Sequence, residues 1–103
     1  MGDRGQIKIG DVYLYTHWDG SNLKQTLKRA LEKQWRWDDI EYLPRIIFEE
    51  MIGKEKGTET GFGIGTIQHG DLDYPLIIVD VDNKTIIEGK EELSFRDFIE
   101  KEV

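Results

Sequence analysis

The chain contains no cysteine. Disulfides, Cys-ligated zinc, iron–sulfur clusters and thiol nucleophiles are therefore excluded, and a thiol-free chain suits a reducing compartment. Long apolar runs are missing as well. The longest, Leu76-Ile77-Ile78-Val79, is far short of the roughly 20 residues a membrane-spanning helix needs. The first residues, Met1-Gly2-Asp3-Arg4-Gly5, are polar, and no apolar segment of signal-peptide type follows them. The expected setting is cytoplasmic, with no membrane partner. Basic residues are outnumbered, 14 Lys and Arg against 21 Asp and Glu, for a net charge of −7. That balance speaks against nucleic acid as a partner. Nucleophile signatures such as Gly-x-Ser-x-Gly are absent, and there is no internal repeat.

What is present fits one domain over residues 1–103, a length that supports a single core without covalent staples. The share of Lys, Glu and Ile fits a thermophilic source. Charge is unevenly spread. Residues 21–36 carry Lys24, Lys28, Arg29, Lys33 and Arg36 against Glu32 alone, which reads either as a solvated helix face or as a basic face for an anionic partner.

Hydrophobic periodicity orders the elements. Gln6-Ile7-Lys8-Ile9 and residues 12–16 alternate around Gly10-Asp11, the pattern of a β-hairpin. Ser21 is a natural N-cap, and Leu23, Leu27, Ala30, Leu31 and Trp35 recur at helical spacing over 22–35. Asp38 and Glu41 stand in capping-box relation before a second helical stripe of Ile40, Leu43, Ile47, Phe48, Met51 and Ile52. Pro44 means that this helix either bends there or begins there. Residues 53–61 are polar and glycine-rich and read as a mobile loop. Strands follow at 62–68, 76–81 and 84–88, the second the most apolar and expected to be central. Ser94 caps a short terminal helix bearing Phe95, Phe98 and Ile99. The order ββααβββα, with helices and strands segregated, predicts an α+β fold. Its five-stranded, mostly antiparallel sheet would carry the helices on one face.

Strand parity separates two faces, because alternate side chains point to opposite sides. Val12, Leu14, Phe62, Ile64, Ile77, Val79 and Val81 form an apolar set that should meet the helices. Tyr13, Tyr15 and His17, then Gly61, Gly63 and Gly65, then Ile78, Asp80 and Asp82 form the other. Alternate glycines weaken a strand by about 0.5–1 kcal/mol each relative to alanine, so something is expected to approach that backbone closely. Two readings are open. Tyr13 and Tyr15 lie across the strip, as aromatics do over sheet glycines, or a ligand or second subunit does.

Other groupings carry chemistry less well. His17, Asp19, Asp80 and Asp82 together would suit a hard divalent ion such as Mg or Mn. Paired acids beside Asn are also ordinary turn residues. Asp80, Asp82 and Glu91 match an EF-hand count, but Thr85 stands where that loop needs glycine. Phe62-Gly63-Ile64-Gly65 lacks the following helix of a phosphate loop. Asp19-Gly20-Ser21-Asn22 at the first helix start could attract an anion, unless capping uses those N–H groups. His69 lies in a Gly/Asp turn and reads as a loop residue.

One resemblance covers residues 12–82. It is carried by Val12-Tyr13-Leu14-Tyr15-Thr16-His17-Trp18-x-Gly20, Trp37-Asp38-Asp39, Tyr42-Leu43, Arg45-Ile46-Ile47-Phe48 with Met51, Glu59-Thr60-Gly61-Phe62-Gly63-Ile64, Tyr74-Pro75 and Val79-Asp80. By these residues the chain resembles a group of short, functionally unassigned prokaryotic and phage proteins. The resemblance implies a standalone domain and brings no catalytic residues with it.

The functional expectation is a non-catalytic binding or self-association module, homodimer included, using Tyr13, Tyr15, His17, Gly61, Gly63 and Gly65, with a protein or itself as partner and no cofactor. The alternative is a small hydrolase of a phosphate-containing ligand. In it His17, Asp19, Asp80 and Asp82 hold Mg or Mn, and Arg45 or the basic helix holds the anion. A third reading is an acidic inhibitor or decoy.

Overall fold

The computed structural model describes residues 2–53 and 55–101. Six strands and three α-helices follow the chain in the order β1 (Gly5–Ile9), β2 (Val12–Thr16), α1 (Leu23–Glu32), α2 (Tyr42–Ile52), β3 (Phe62–Gly65), β4 (Ile77–Asp80), β5 (Thr85–Glu88), β6 (Glu91–Ser94) and α3 (Phe95–Glu100). The fold is α+β. The strands form one mixed sheet in the order β3-β2-β1-β4-β5-β6. Neighbours pair antiparallel except β1 and β4, which run parallel with Ile7 opposite Ile77.

Three features differ from the expectation. The sheet has six strands rather than five, because Glu91–Ser94 pairs with β5 before the terminal helix begins. The order is therefore ββααββββα. Glu91 and Glu92 hide this strand in the sequence, since charged residues are depleted in strands in general but serve well on an exposed edge. The sheet is also mixed: β4 is interior, as its apolar run predicts, but it pairs parallel with β1, an orientation no local pattern encodes. Finally, α1 ends at Glu32, three residues early. Gln34 and Arg36 both take left-handed backbone conformations (φ 56° each), which leaves Trp35 outside the helix and 59% exposed.

One layer of helices packs on one sheet face. Ile7, Ile9, Leu14, Ile77, Val79 and Ile86 from the strands meet Leu27, Leu31, Leu43, Ile47, Phe95 and Phe98 from the helices, all buried. Burial of side chains this large stabilises by about 1.5–3 kcal/mol each. The parity sets hold here, with Val12 and Phe62 partly buried against the core. Ile64 is the exception: it lies on the helix-side parity but is 61% exposed, because the helices do not reach the outer strand there. Trp37 closes the junction between α1 and α2. Its indole N–H donates to the Leu31 carbonyl at 3.2 Å, and its ring meets Phe95 edge-on.

The caps also differ in part. Asp39 Oδ1 accepts the N–H groups of Glu41 and Tyr42, so α2 starts just before Pro44, in whose first turn a missing N–H costs nothing. Ser94 Oγ accepts the Asp97 N–H at 3.0 Å, as a helix cap should. Ser21 does not cap. It lies inside a 3-10 turn (Gly20–Asn22), and its N–H and hydroxyl both donate to Asp3 Oδ2.

The connection from β3 to β4 positions everything that follows. Both strands run parallel to β1, with β2 and β1 between them. The chain must therefore cross the sheet. The helices occupy one face, so residues 66–76 cross over the other.

Candidate functional site on the second sheet face

The pairing of β2 with β3 sets Tyr13 opposite Gly65 and Tyr15 opposite Gly63. The tyrosines and these glycines therefore share the face away from the helices. The rings nevertheless do not cover the glycines. A Cβ built on Gly63 or Gly65 would meet no described atom within 4 Å. Tyr13 leans instead toward Lys8, whose Nζ lies 5.9 Å from the ring centroid. Tyr15 turns toward the crossing segment. Gly61 differs from the other two: its φ is +102°, and a Cβ there would meet the Trp18 indole at 3.2 Å.

The crossing segment clasps the Tyr15 end of this face. Gln6, 1% exposed, donates from Nε2 to the Ile67 carbonyl and accepts the His69 N–H at Oε1. The His69 ring stacks on Tyr15 with centroids 4.2 Å apart. Tyr15 and His17 share a hydrogen bond of 2.8 Å between hydroxyl and Nδ1, and His17 meets Trp18 edge-on. Burial, then the negative charge of Asp71, raises the Tyr15 phenol above its ordinary pKa. Arg4 closes the segment by pairing with Asp71 and Asp73. Its hydrogen bonds hold the Asp73 carboxyl below the usual range. Both histidines of the chain thus flank one tyrosine.

The strand order separates the candidate metal ligands. His17 follows β2 beside the start of β1, whereas Asp80 ends β4 beyond the end of β1. Their registers differ by six residues, or about 20 Å at ~3.3 Å per residue. Asp80 serves its own turn, accepting the backbone and side-chain N–H groups of Asn83. Asp19 accepts from the Asn22 side chain, and Asp82 lies exposed with Asp80 at the far end. Among the described residues no three His, Asp or Glu side chains gather as a metal set. Arg45 pairs with Glu49.

The anion-attracting start of α1 is filled from within the chain, because the Asp3 carboxylate takes the Ser21 N–H that a bound anion would use. The basic stripe is likewise engaged internally. Lys24 pairs with Glu88, Arg29 and Lys33 with Glu50, and Arg36 with Asp39.

The two sheet edges are unlike. β6 is fenced by exposed Glu91 and Glu92. Among the described residues β3 pairs with β2 alone. It carries no charged residue, and Ile64 and nearby Ile67 are 61% and 76% exposed. At the Phe62 end a groove of about 380 Å³ opens, lined by Trp18, Met51 and Phe62 together with the charged Asp19, Arg29, Glu50 and Glu55. No family model matches this chain, and neither does a curated protein or a solved structure. No helix among the described residues is long and apolar enough to cross a membrane.

Gln6, Arg4 and His69 were not singled out from the sequence as parts of one clasp, since their meeting depends on the crossover. The edge did leave a signal. Between Glu59 and Asp71 there is no Asp, Glu, Lys or Arg, in a chain that is 34% charged.

Proposed function

We propose that this chain is a protein-binding module. Its contact surface is the outer edge of β3 together with the bare strip at Gly63 and Gly65, bordered by Tyr13. The Tyr15 and His17 end of the face serves to anchor the crossing segment and lies outside the contact. The observation that carries the reading is the open space over Gly63 and Gly65 on a strand with one neighbour among the described residues. Edge strands ordinarily carry charge, proline or a bulge that blocks pairing, and β3 has no such device. An extended polypeptide added there gains backbone hydrogen bonds, each worth about 0.5–1.5 kcal/mol net. Adjacent pockets select its alternate side chains.

Selection from a displayed library of short random peptides tests this. The native chain should enrich extended sequences with bulky residues at alternate positions, and Ile64→Lys should lose them. No enrichment by a chain that also stays monomeric, or equal enrichment by the variant, overturns the reading.

A further inference from the structure

We propose that the occupant of the β3 edge is a second copy of this chain, whose own β3 pairs antiparallel and joins the two sheets into one. The proposal rests on the binding reading above and names its partner.

The hydrogen-bond phase of β3 selects a register. The His17 N–H donates to the Gly61 carbonyl at 2.8 Å, and bonding alternates along an antiparallel pair. The backbone groups of Gly61, Gly63 and Gly65 therefore face β2, while those of Phe62 and Ile64 point outward. Two copies use all the outward groups of Phe62 and Ile64 when Phe62 stands opposite Ile64 of the second copy. In that register four backbone hydrogen bonds form, two around each Phe62–Ile64 pair. Gly63 then meets Gly63 across the two-fold axis as a non-hydrogen-bonded pair, the kind with Cα atoms only about 4.5 Å apart.

Side chains agree with this register. On the helix side, Phe62 and the exposed Ile64 make two aromatic–β-branched cross-strand pairs, a favourable kind of sheet contact. One step further out, Thr60 faces Thr66 at both ends. Charge agrees as well. Two copies of a chain with net charge −7 repel, but the stretch from Thr60 to Gly70 brings no carboxylate to the seam. The opposite edge would set Glu91 and Glu92 against their own copies. A seam of one short strand falls below the roughly 1,000 Å² of a stable interface. The dimer should accordingly be weak, with Kd of about 10 μM to 1 mM.

Sedimentation equilibrium of the native chain up to ~1 mM, a range set by that affinity, should give a reversible monomer–dimer equilibrium. Ile64→Lys should remain monomeric throughout, with its fold checked by circular dichroism. Gly63→Cys places one thiol in an otherwise cysteine-free chain, at a site with room for a side chain. Mild oxidation should link it into a disulfide dimer, since the close pair lies within the Cα range disulfides span. Glu92→Cys on the other edge should stay monomeric. A dimer that survives Ile64→Lys, with no cross-link at position 63, overturns the proposal. A native chain that stays monomeric yet selects peptides through Ile64 also overturns it, while the binding reading stands. If it neither dimerises nor selects peptides, both fail. Should Ile64→Lys not fold, the cross-link decides.

Discussion

The side-chain amide of Gln6 accepts the backbone N–H of His69 at 3.0 Å from a position 63 residues earlier in the chain. The same amide donates to the Ile67 carbonyl, so one buried side chain satisfies two backbone groups of a segment without regular structure. Buried polar groups left without partners cost about 1–3 kcal/mol. Gln6→Leu should therefore lower the melting temperature by several degrees and speed amide exchange at residues 67–70. A variant with native exchange there would show that Gln6 is not what holds the crossover.

Two glycines of this fold should respond oppositely to alanine. A Cβ on Gly20 would lie 2.7 Å from the Asp3 carbonyl oxygen and 2.9 Å from the Arg4 carbonyl carbon, both backbone atoms that cannot swing aside. Gly20→Ala should cost about 1–3 kcal/mol, the range for overpacking. Gly63→Ala meets open space and should stabilise the monomer by about 0.4–1 kcal/mol through the unfolded chain. Denaturant melts of both variants check this.

Acid should loosen the N-terminal segment. Hydrogen bonds from the Ser21 hydroxyl, then from Tyr74 and the Ser21 N–H, hold the Asp3 carboxyl below its ordinary value. The native state therefore binds fewer protons than the unfolded chain near that value. The stabilisation is fully present above about pH 4, the unfolded pKa of Asp, and fades as pH falls through the lower native pKa. Asp3→Asn should flatten the acid limb of a plot of melting temperature against pH. The Tyr74 phenol, raised chiefly by its hydrogen bond to Asp3, should return toward its ordinary titration in the same variant, followed by phenolate absorbance.

Ser94 ends β6 and caps α3 at once, accepting the Asp97 N–H while pairing with Thr85. Ser94→Ala should cost about 1 kcal/mol, or roughly 4–8 °C in melting temperature for a chain of this size. Calorimetry would measure it, and an unchanged transition would mean that packing of Phe95 and Phe98 alone holds the helix.

Much of the local structure was legible. The hairpin at Gly10-Asp11, the apolar face of α1 and the cap at Ser94 follow from spacing and residue type within a few positions, whereas the N–H groups before α2 are taken by Asp39 and not by Asp38, which pairs with Lys84. The sharing of one face by Tyr13, Tyr15, Gly63 and Gly65 was also legible, because alternation in a strand is a local property. The site itself was less so. Tyr15 and His17 looked open because nothing in their neighbourhood announces that His69 will stack on one and Gln6 will fasten the covering segment. Asp80 looked like a ligand beside His17 only while strand order was unknown. The edge position of β3 was equally hidden, although its charge-free run was in view.

The opposite fates of the two ends of one β-strand face mark the division. Hydrophobic periodicity reports which side of a strand or helix is buried, and by itself it determined the two-faced sheet, the helix layer and the glycine strip. It carries no information about which strands become neighbours. Only the tertiary structure decided that β4 inserts beside β1, that residues 66–76 must then cross the Tyr15 end, and that β3 is left at the rim. The physical reason is that burial of a face is a property of one segment against any core. Strand order and crossover depend on contacts between segments some 60 residues apart, which form only when the whole chain packs at once.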